Sequence, residues 1–387
     1  MALTKVKPSN VDDQVFGRRN LFINGKMQIA QRAATRTSQT STGYYTVDRW
    51  QLAINSTGTW DISQSTTVPS GEGFYYSQKL DCTGADASLG SGDYMIFRQK
   101  IEGVNLQQLK YGTSSAEKLT LSFWVRSAKT GTYIIEFFNN NSTGNKFQSQ
   151  SYTISSANTW EKKTITIDGD TTLPFENTTD AELLVYFWLA GGSNYTGSGA
   201  LNTSWTTSPA NSTRAVGQVN LADSTSNDWY ITGIQLEMGD QATPFEHLSL
   251  GEELALCQRY FLSTAYPNNF SGTIPTYSTN GYWLYQGISY YQDGQAHDQF
   301  HHPVTMRARP TLTPYAPNGL VSGYYGGSSK VAAYGQVGGN EWRAAEVHLY
   351  DWAGTPSCSA YRIVYGQIDE DGTEGMWIGG FEFDAEM

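Results

Sequence analysis

From residue 20 onward the chain alternates short stretches of period-two hydrophobicity with turn-forming residues, and a helical period shows clearly only once. Leu119, Leu121, Phe123 and Val125 share one face of an extended segment, and Tyr133 to Phe138 follows after a Gly- and Thr-containing connection. Trp160 to Asp168 sets Ile165 and Ile167 between threonines, and Leu183 to Leu189 is apolar on both faces. Trp229 to Met238 gathers Tyr230, Ile234, Leu236 and Met238. Leu21 to Ile29 reads as a strand, an Asn24-Gly25 turn and a return. Many short strands with turn-rich spacers predict a mainly β chain built on a sandwich.

The exception follows Pro244 to Leu248. Ser249 and Glu252 form a capping-box pair, and Leu250, Leu254, Cys257 and Phe261 fall on one helical stripe. The pattern predicts a short amphipathic connector helix over 250–262. β signals then return at Tyr282 to Tyr291, Pro303 to Thr313, Val347 to Tyr350, Tyr361 to Tyr365 and Trp377 to Phe383. The expected division is an arm over 1–19, a first β domain over 20–248, the connector over 249–262 and a smaller distal β domain over 263–387. Between Gly191 and Thr213, 17 of 23 residues are Gly, Ser, Thr or Asn, so this segment is expected to be either a linker or a recognition loop.

Composition sharpens the picture. The 387 residues include 25 Tyr, 16 Phe, 11 Trp and 39 Gly, which suits pleated surfaces and tight turns. A net charge of −11 would repel a phosphate polymer and argues against nucleic acid as a partner. No apolar run reaches the roughly 18 residues a membrane span needs, and the first residues lack the apolar core of a secretion signal. Membrane insertion is therefore not expected, and the chain is expected to mature in a cytoplasm. Cys82, Cys257 and Cys358 are odd in number and far apart, which fits buried small hydrophobes better than disulfides or a zinc site. No cofactor is implied.

Flat aromatic faces beside short polar groups are the chemistry of sugar recognition, because sugars present C–H patches and hydroxyls together. In the distal domain Tyr282, Trp283, Tyr324, Tyr325, Trp342 and Trp352 are the candidate ligand-binding residues, and the plainer reading of each ring is core packing. Tyr324 and Tyr325 stand out because Gly323, Gly326 and Gly327 flank them as in a turn. His297, His301 and His302 lie beside Asp298, but Asp293-Gly294 and Pro303 argue against the helix that would converge them on a metal. A polar loop or an interface is the default reading, and no metal site is assigned. Asp369, Glu370 and Asp371 precede Gly372 as in a solvated turn, whereas glycoside hydrolysis needs carboxyls held about 5–9.5 Å apart. With neither a nucleophile elbow nor a phosphate loop present, no catalytic residue is assigned and the chain is expected not to be an enzyme.

Asn20 to Arg32, followed by Val47-Asp48-Arg49-Trp50, resembles the opening of a carbohydrate-binding-like jelly roll found in bacteriophage tail-fibre and related virion fibre proteins. Trp229 to Gly239 with Ala242 to Glu246 is similar to its closing strand. Glu253 to Phe261, Pro303 to Leu312 and Phe381 to Met387 resemble distal parts of the same proteins. The resemblance implies a homotrimeric virion protein, assembled in the host cytoplasm and attached to tail, neck or capsid proteins through its N-terminal arm. It also implies recognition of a host-surface glycan during adsorption. A structural capsid-decorating or neck-mounted protein without receptor binding is the alternative, and a polysaccharide depolymerase a third.

Overall fold

The computed structural model describes residues 18–197, 199–207, 211–263, 285–286, 296–301, 303–308, 310–315, 324–325, 330–337, 341–351, 360–365, 377–378 and 380–387. The chain opens with β1 (Thr35–Gln39), β2 (Gln51–Asn55), β3 (Thr59–Ser65), β4 (Ser77–Gly84), β5 (Tyr94–Glu102) and β6 (Leu119–Ser127). It continues with β7 (Gly131–Asn141), β8 (Gly144–Ile154), β9 (Glu161–Ile167), β10 (Ala181–Gly191), a helical turn α1 (Ser193–Thr196), β11 (Thr206–Thr207) and β12 (Asp228–Met238).

These strands form two six-stranded antiparallel sheets in a jelly-roll β-sandwich. The back sheet has the order β1-β3-β4-β12-β6-β9, and the front sheet the order β11-β8-β7-β10-β5-β2. Alternation explains the packing between them. Leu119, Leu121, Phe123 and Val125 of β6 face Leu183, Val185, Phe187 and Leu189 of β10 across a fully buried core. Trp50 stacks on Phe97 with centroids 4.9 Å apart. Cys82 and Cys257 are free and buried, as small hydrophobes; Cys358 lies outside the described residues.

Leu21 to Ile29 departs from the expected hairpin. Asn24 takes a left-handed φ of 59°, and its side chain replaces a ladder partner by donating to the carbonyls of Ile29 (2.8 Å) and Asp48 (3.1 Å) and accepting from the Ile29 amide. Gly25 is required here, because a Cβ would lie 2.1 Å from the Ile234 carbonyl. The segment is thus an irregular plug closing one end of the sandwich.

Helix α2 (Leu250–Gln258) carries both halves of the capping box, from Ser249 and Glu252. It stops short of 262 because Phe261 belongs to a strand, β13 (Phe261–Ser263). Cys257 and Leu254 pack with Ile23, Ile29 and Tyr260, whereas Leu250 is half exposed.

Beyond it lie β14 (Tyr285–Gln286), β15 (Ala296–His301), β16 (Thr311–Tyr315), β17 (Tyr324–Tyr325), β18 (Lys330–Val337), β19 (Glu341–Asp351), β20 (Ala360–Tyr365), β21 (Trp377–Ile378) and β22 (Gly380–Asp384). They form sheets of order β13-β22-β16, β14-β21 and β15-β20-β19-β18-β17.

The last residues return to the jelly roll through a buried ionic cluster. Arg49, with 1% of its side chain exposed, pairs with Glu386 and lies 3.3 Å from the Tyr260 ring centroid. Arg32 reaches Asp384 at 3.1 Å and Glu386 at 3.6 Å, and sits over Phe261. Arg259 forks onto Glu102 at 2.7 and 2.8 Å, and Tyr260 also donates to that carboxylate. Burial pushes the Asp48 carboxyl up to about 6, against the pull of Arg32 and its hydrogen bonds from Gln31.

Replacing Glu386 by Ala leaves two buried guanidinium groups short of their counter-charge. It should cost about 3–5 kcal/mol in chemical denaturation; a loss below about 1 kcal/mol would show that the cluster does not hold the tail. The raised folded pKa of Asp48 means that the native state takes up a proton the unfolded chain releases. Its stabilising contribution is present below about pH 4 and lost as pH rises through about 6. The stability difference between wild type and Asp48→Asn should therefore shift against wild type across that window, and a flat difference would contradict the assignment.

Candidate functional site

Backbone register places part of the aromatic set expected from sequence and does not unite it. Tyr324 and Tyr325 form edge strand β17, paired with Val331 and Lys330, rather than the expected Gly-flanked turn. Trp342 lies on β19 opposite Gln336, six residues from His348, which is in register with Lys330. At about 3.4 Å per residue, roughly 20 Å of strand separates Trp342 from the Tyr325 row. Tyr282, Trp283 and Trp352 lie outside the described residues, as do His302 and Asp369 to Gly372. His297 and His301 are on strand β15. Among the described residues no group of His, Cys, Asp or Glu is arranged to hold a metal.

The outer face of the front sheet brings together a different constellation. Gln51, Arg98, Tyr186, Glu136 and Ser149 occupy one continuous row across β2, β5, β10, β7 and β8. In the next row on the same face, Lys100, Leu184, Phe138 and Phe147 are in register. Tyr186 and Phe138 stack with centroids 6.1 Å apart. Gln51 accepts from Arg98 Nε at 2.7 Å, which fixes the guanidinium plane, and that group lies 5.4 Å from the Tyr186 ring centroid. Burial pushes the Tyr186 hydroxyl up to about 12, against the pull of Arg98, so it is a neutral donor and acceptor at physiological pH.

Two walls flank this floor. One is the Gly-, Ser- and Thr-rich segment after β10, folded back onto the sheet: Ser149 donates its amide to the Asn202 carbonyl at 2.7 Å and its hydroxyl to that of Arg214. Arg214 then forks onto fully buried Glu136, with bonds of 2.6 and 3.1 Å, and Trp188 Nε1 donates to the same carboxylate at 2.9 Å. The other wall is the chain's last residues, where Tyr44 donates to the Met387 oxygen at 3.1 Å and Lys100 donates to it as well. Burial lowers the Lys100 ammonium to about 8, helped by Arg98 and opposed by Glu386.

The result is a trough in which half-exposed Tyr44, Phe138, Arg98 and Lys100 lie over or beside the buried side chains of Tyr186 and Leu184, so that Phe138 is the ring open to a ligand. Such a surface can stack a ring and hydrogen-bond its hydroxyls at once. The signal that could have located it was the alternate positions of β5, where Arg98 and Lys100 follow an apolar run.

No protein-family model matches the chain, and no curated protein matches it in sequence. Solved structures that align with it include the enzymatically active domain of tailspike protein 4 of bacteriophage CBA120, at 14% identity over 57% of this chain with a TM-score of 0.29. The alignment spans 21% of that tailspike chain. The family 11 carbohydrate-binding module of Clostridium thermocellum, in complex with a β-1,3-1,4-mixed-linked tetrasaccharide, aligns at 13% identity over 55% of this chain and 99% of its own, with a TM-score of 0.26. The CBM22-2 xylan-binding domain of Paenibacillus barcinonensis Xyn10C aligns at 13% identity over 49% of this chain and 91% of its own, with a TM-score of 0.26.

Substituting Arg214 by Ala removes the pin that holds the folded-back wall and leaves Glu136 buried without its counter-charge. Amide exchange over residues 193–219 should speed up at least tenfold while the core strands β6 and β10 stay protected; unchanged exchange would show that the wall is held by its backbone contacts alone.

Proposed function

We propose that this chain is a homotrimeric virion fibre protein that binds a glycan on the host surface without cleaving it. The observation that carries the reading is the trough across the front sheet: half-exposed Phe138 packed on the buried Tyr186 ring, and a half-exposed Arg98 oriented by buried Gln51, between two walls. A shallow site of this kind binds weakly, and three copies on one fibre, multiplied over several fibres, convert weak contacts into avidity. The sequence resemblance to phage fibre proteins supports the virion setting, with the N-terminal arm facing other virion proteins. The distal aromatics, Tyr324 and Tyr325 foremost, belong to the same reading as a second contact surface.

The test is adsorption of labelled, purified protein to susceptible and resistant host cells, with intact virions as competitor. Specific, competable binding is expected. Phe138→Ala should reduce it about tenfold or more, which corresponds to about 1.4 kcal/mol at a stacking contact, with the trimer retained in sedimentation. Binding that survives Phe138→Ala but is lost in Tyr324→Ala/Tyr325→Ala would move recognition to the distal sheet. No specific binding by the correctly assembled oligomer would favour the purely structural role.

A further inference from the structure

We infer that the ligand of the front-sheet trough is an anionic saccharide, one whose rings carry carboxylate, sulfate or phosphate groups. The inference rests on the glycan reading above and adds the chemical class. Its basis is a local inversion of charge. The chain carries 36 acidic and 25 basic side chains, yet three cations along this trough stand outside the side-chain ion pairs of the described residues. Arg98, Lys100 and Arg307 have no carboxylate side chain within ion-pair distance among the described residues. Arg98 is held by the Gln51 amide, Lys100 donates to the Met387 oxygen, and Arg307 donates to the carbonyls of Ala385, Thr179 and Glu386.

The carboxylates on the same face of these strands are already engaged. Glu136 is paired with Arg214, Glu102 with Arg259, and Glu182 is buried and accepts from the Glu176 amide at 3.1 Å. The back sheet makes the comparison. On its outer face Lys79 pairs with Asp81 at 2.7 Å and Arg126 lies 3.9 Å from Asp228, leaving the exposed edge residue Lys162 over.

Burial, helped by the neighbouring Arg98, lowers the Lys100 ammonium against the pull of Glu386, so this charge is held at a cost. An acid group on the ligand would offset that cost. Arg98 offers the planar fork that suits a carboxylate or sulfate, with its plane already set by Gln51. Half-exposed Phe138 beside it, backed by the buried Tyr186 ring, supplies the ring contact a saccharide needs. A neutral sugar would use the aromatic floor and leave the cations as they are.

The experiment uses the full-length assembled protein on an array of neutral glycans and of glycans bearing uronate, sialate, sulfate or phosphate. Binding confined to acidic glycans is expected, with the four acidic classes on separate spots reporting which group is read. Arg98→Gln keeps a polar partner for Gln51 and should weaken acidic-glycan binding tenfold or more. Binding should also fall as salt is raised from about 50 to 500 mM, as for a partly exposed charge pair. Binding to neutral glycans alone, or acidic binding indifferent to Arg98→Gln and to salt, would overturn this inference while leaving the glycan reading standing. No binding to any glycan on the array would overturn both.

Discussion

The Arg49–Glu386 ion pair is the constraint on which the rest of the molecule depends. Arg49 lies in the connection entering β2, and Glu386 is the penultimate residue, so one buried contact joins the beginning of the jelly roll to the end of the chain. Neither charge would be tolerated alone in this interior. Arg32, Asp48, Asp384, Tyr260 and Glu102 complete the cluster, and aromatic rings of the segment after α2 lie against both guanidinium groups. The same contacts hold the tail that forms one wall of the trough, so fold and site share a single electrostatic fastening.

The opposite wall is fastened in the same manner. Arg214 reaches Glu136 across the outer face of the front sheet, and the segment between them is pinned to β8 by backbone and hydroxyl bonds. Two buried arginine–carboxylate contacts thus bracket an apolar floor. Between them, Arg98 and Lys100 have no such partner. The paired charges of these two contacts hold structure together, and Arg98 and Lys100 lie half exposed between them.

The sandwich was legible in the sequence because period-two alternation reports directly on burial: Leu119, Leu121, Phe123 and Val125 share a face in sequence and in space. The capping box at Ser249 and Glu252 was equally legible, since its chemistry is local. Leu21 to Ile29 was not, because Asn24 and Gly25 signal a turn whether the flanking residues form a hairpin or an irregular plug. What decides is Ile234, over two hundred residues away, whose carbonyl leaves no room for a side chain at Gly25. The trough was hidden for a related reason. Gln51, Arg98, Tyr186 and Glu136 come from four strands and meet only through register, and Arg214 directly follows the segment 191–213, whose composition suggested a linker as readily as a binding loop. The aromatic residues that drew notice in the sequence cluster along the chain, and strand register sets Trp342 well away from Tyr324 and Tyr325.

The most direct measurement is amide exchange on the assembled protein with and without a glycan that it binds. The account predicts slowed exchange over residues 94–100 and 184–188, around Phe138 in β7, and in the two walls. Protection confined to the distal strands around Tyr324, Tyr325 and Trp342, with β5 and β10 unchanged, would contradict it.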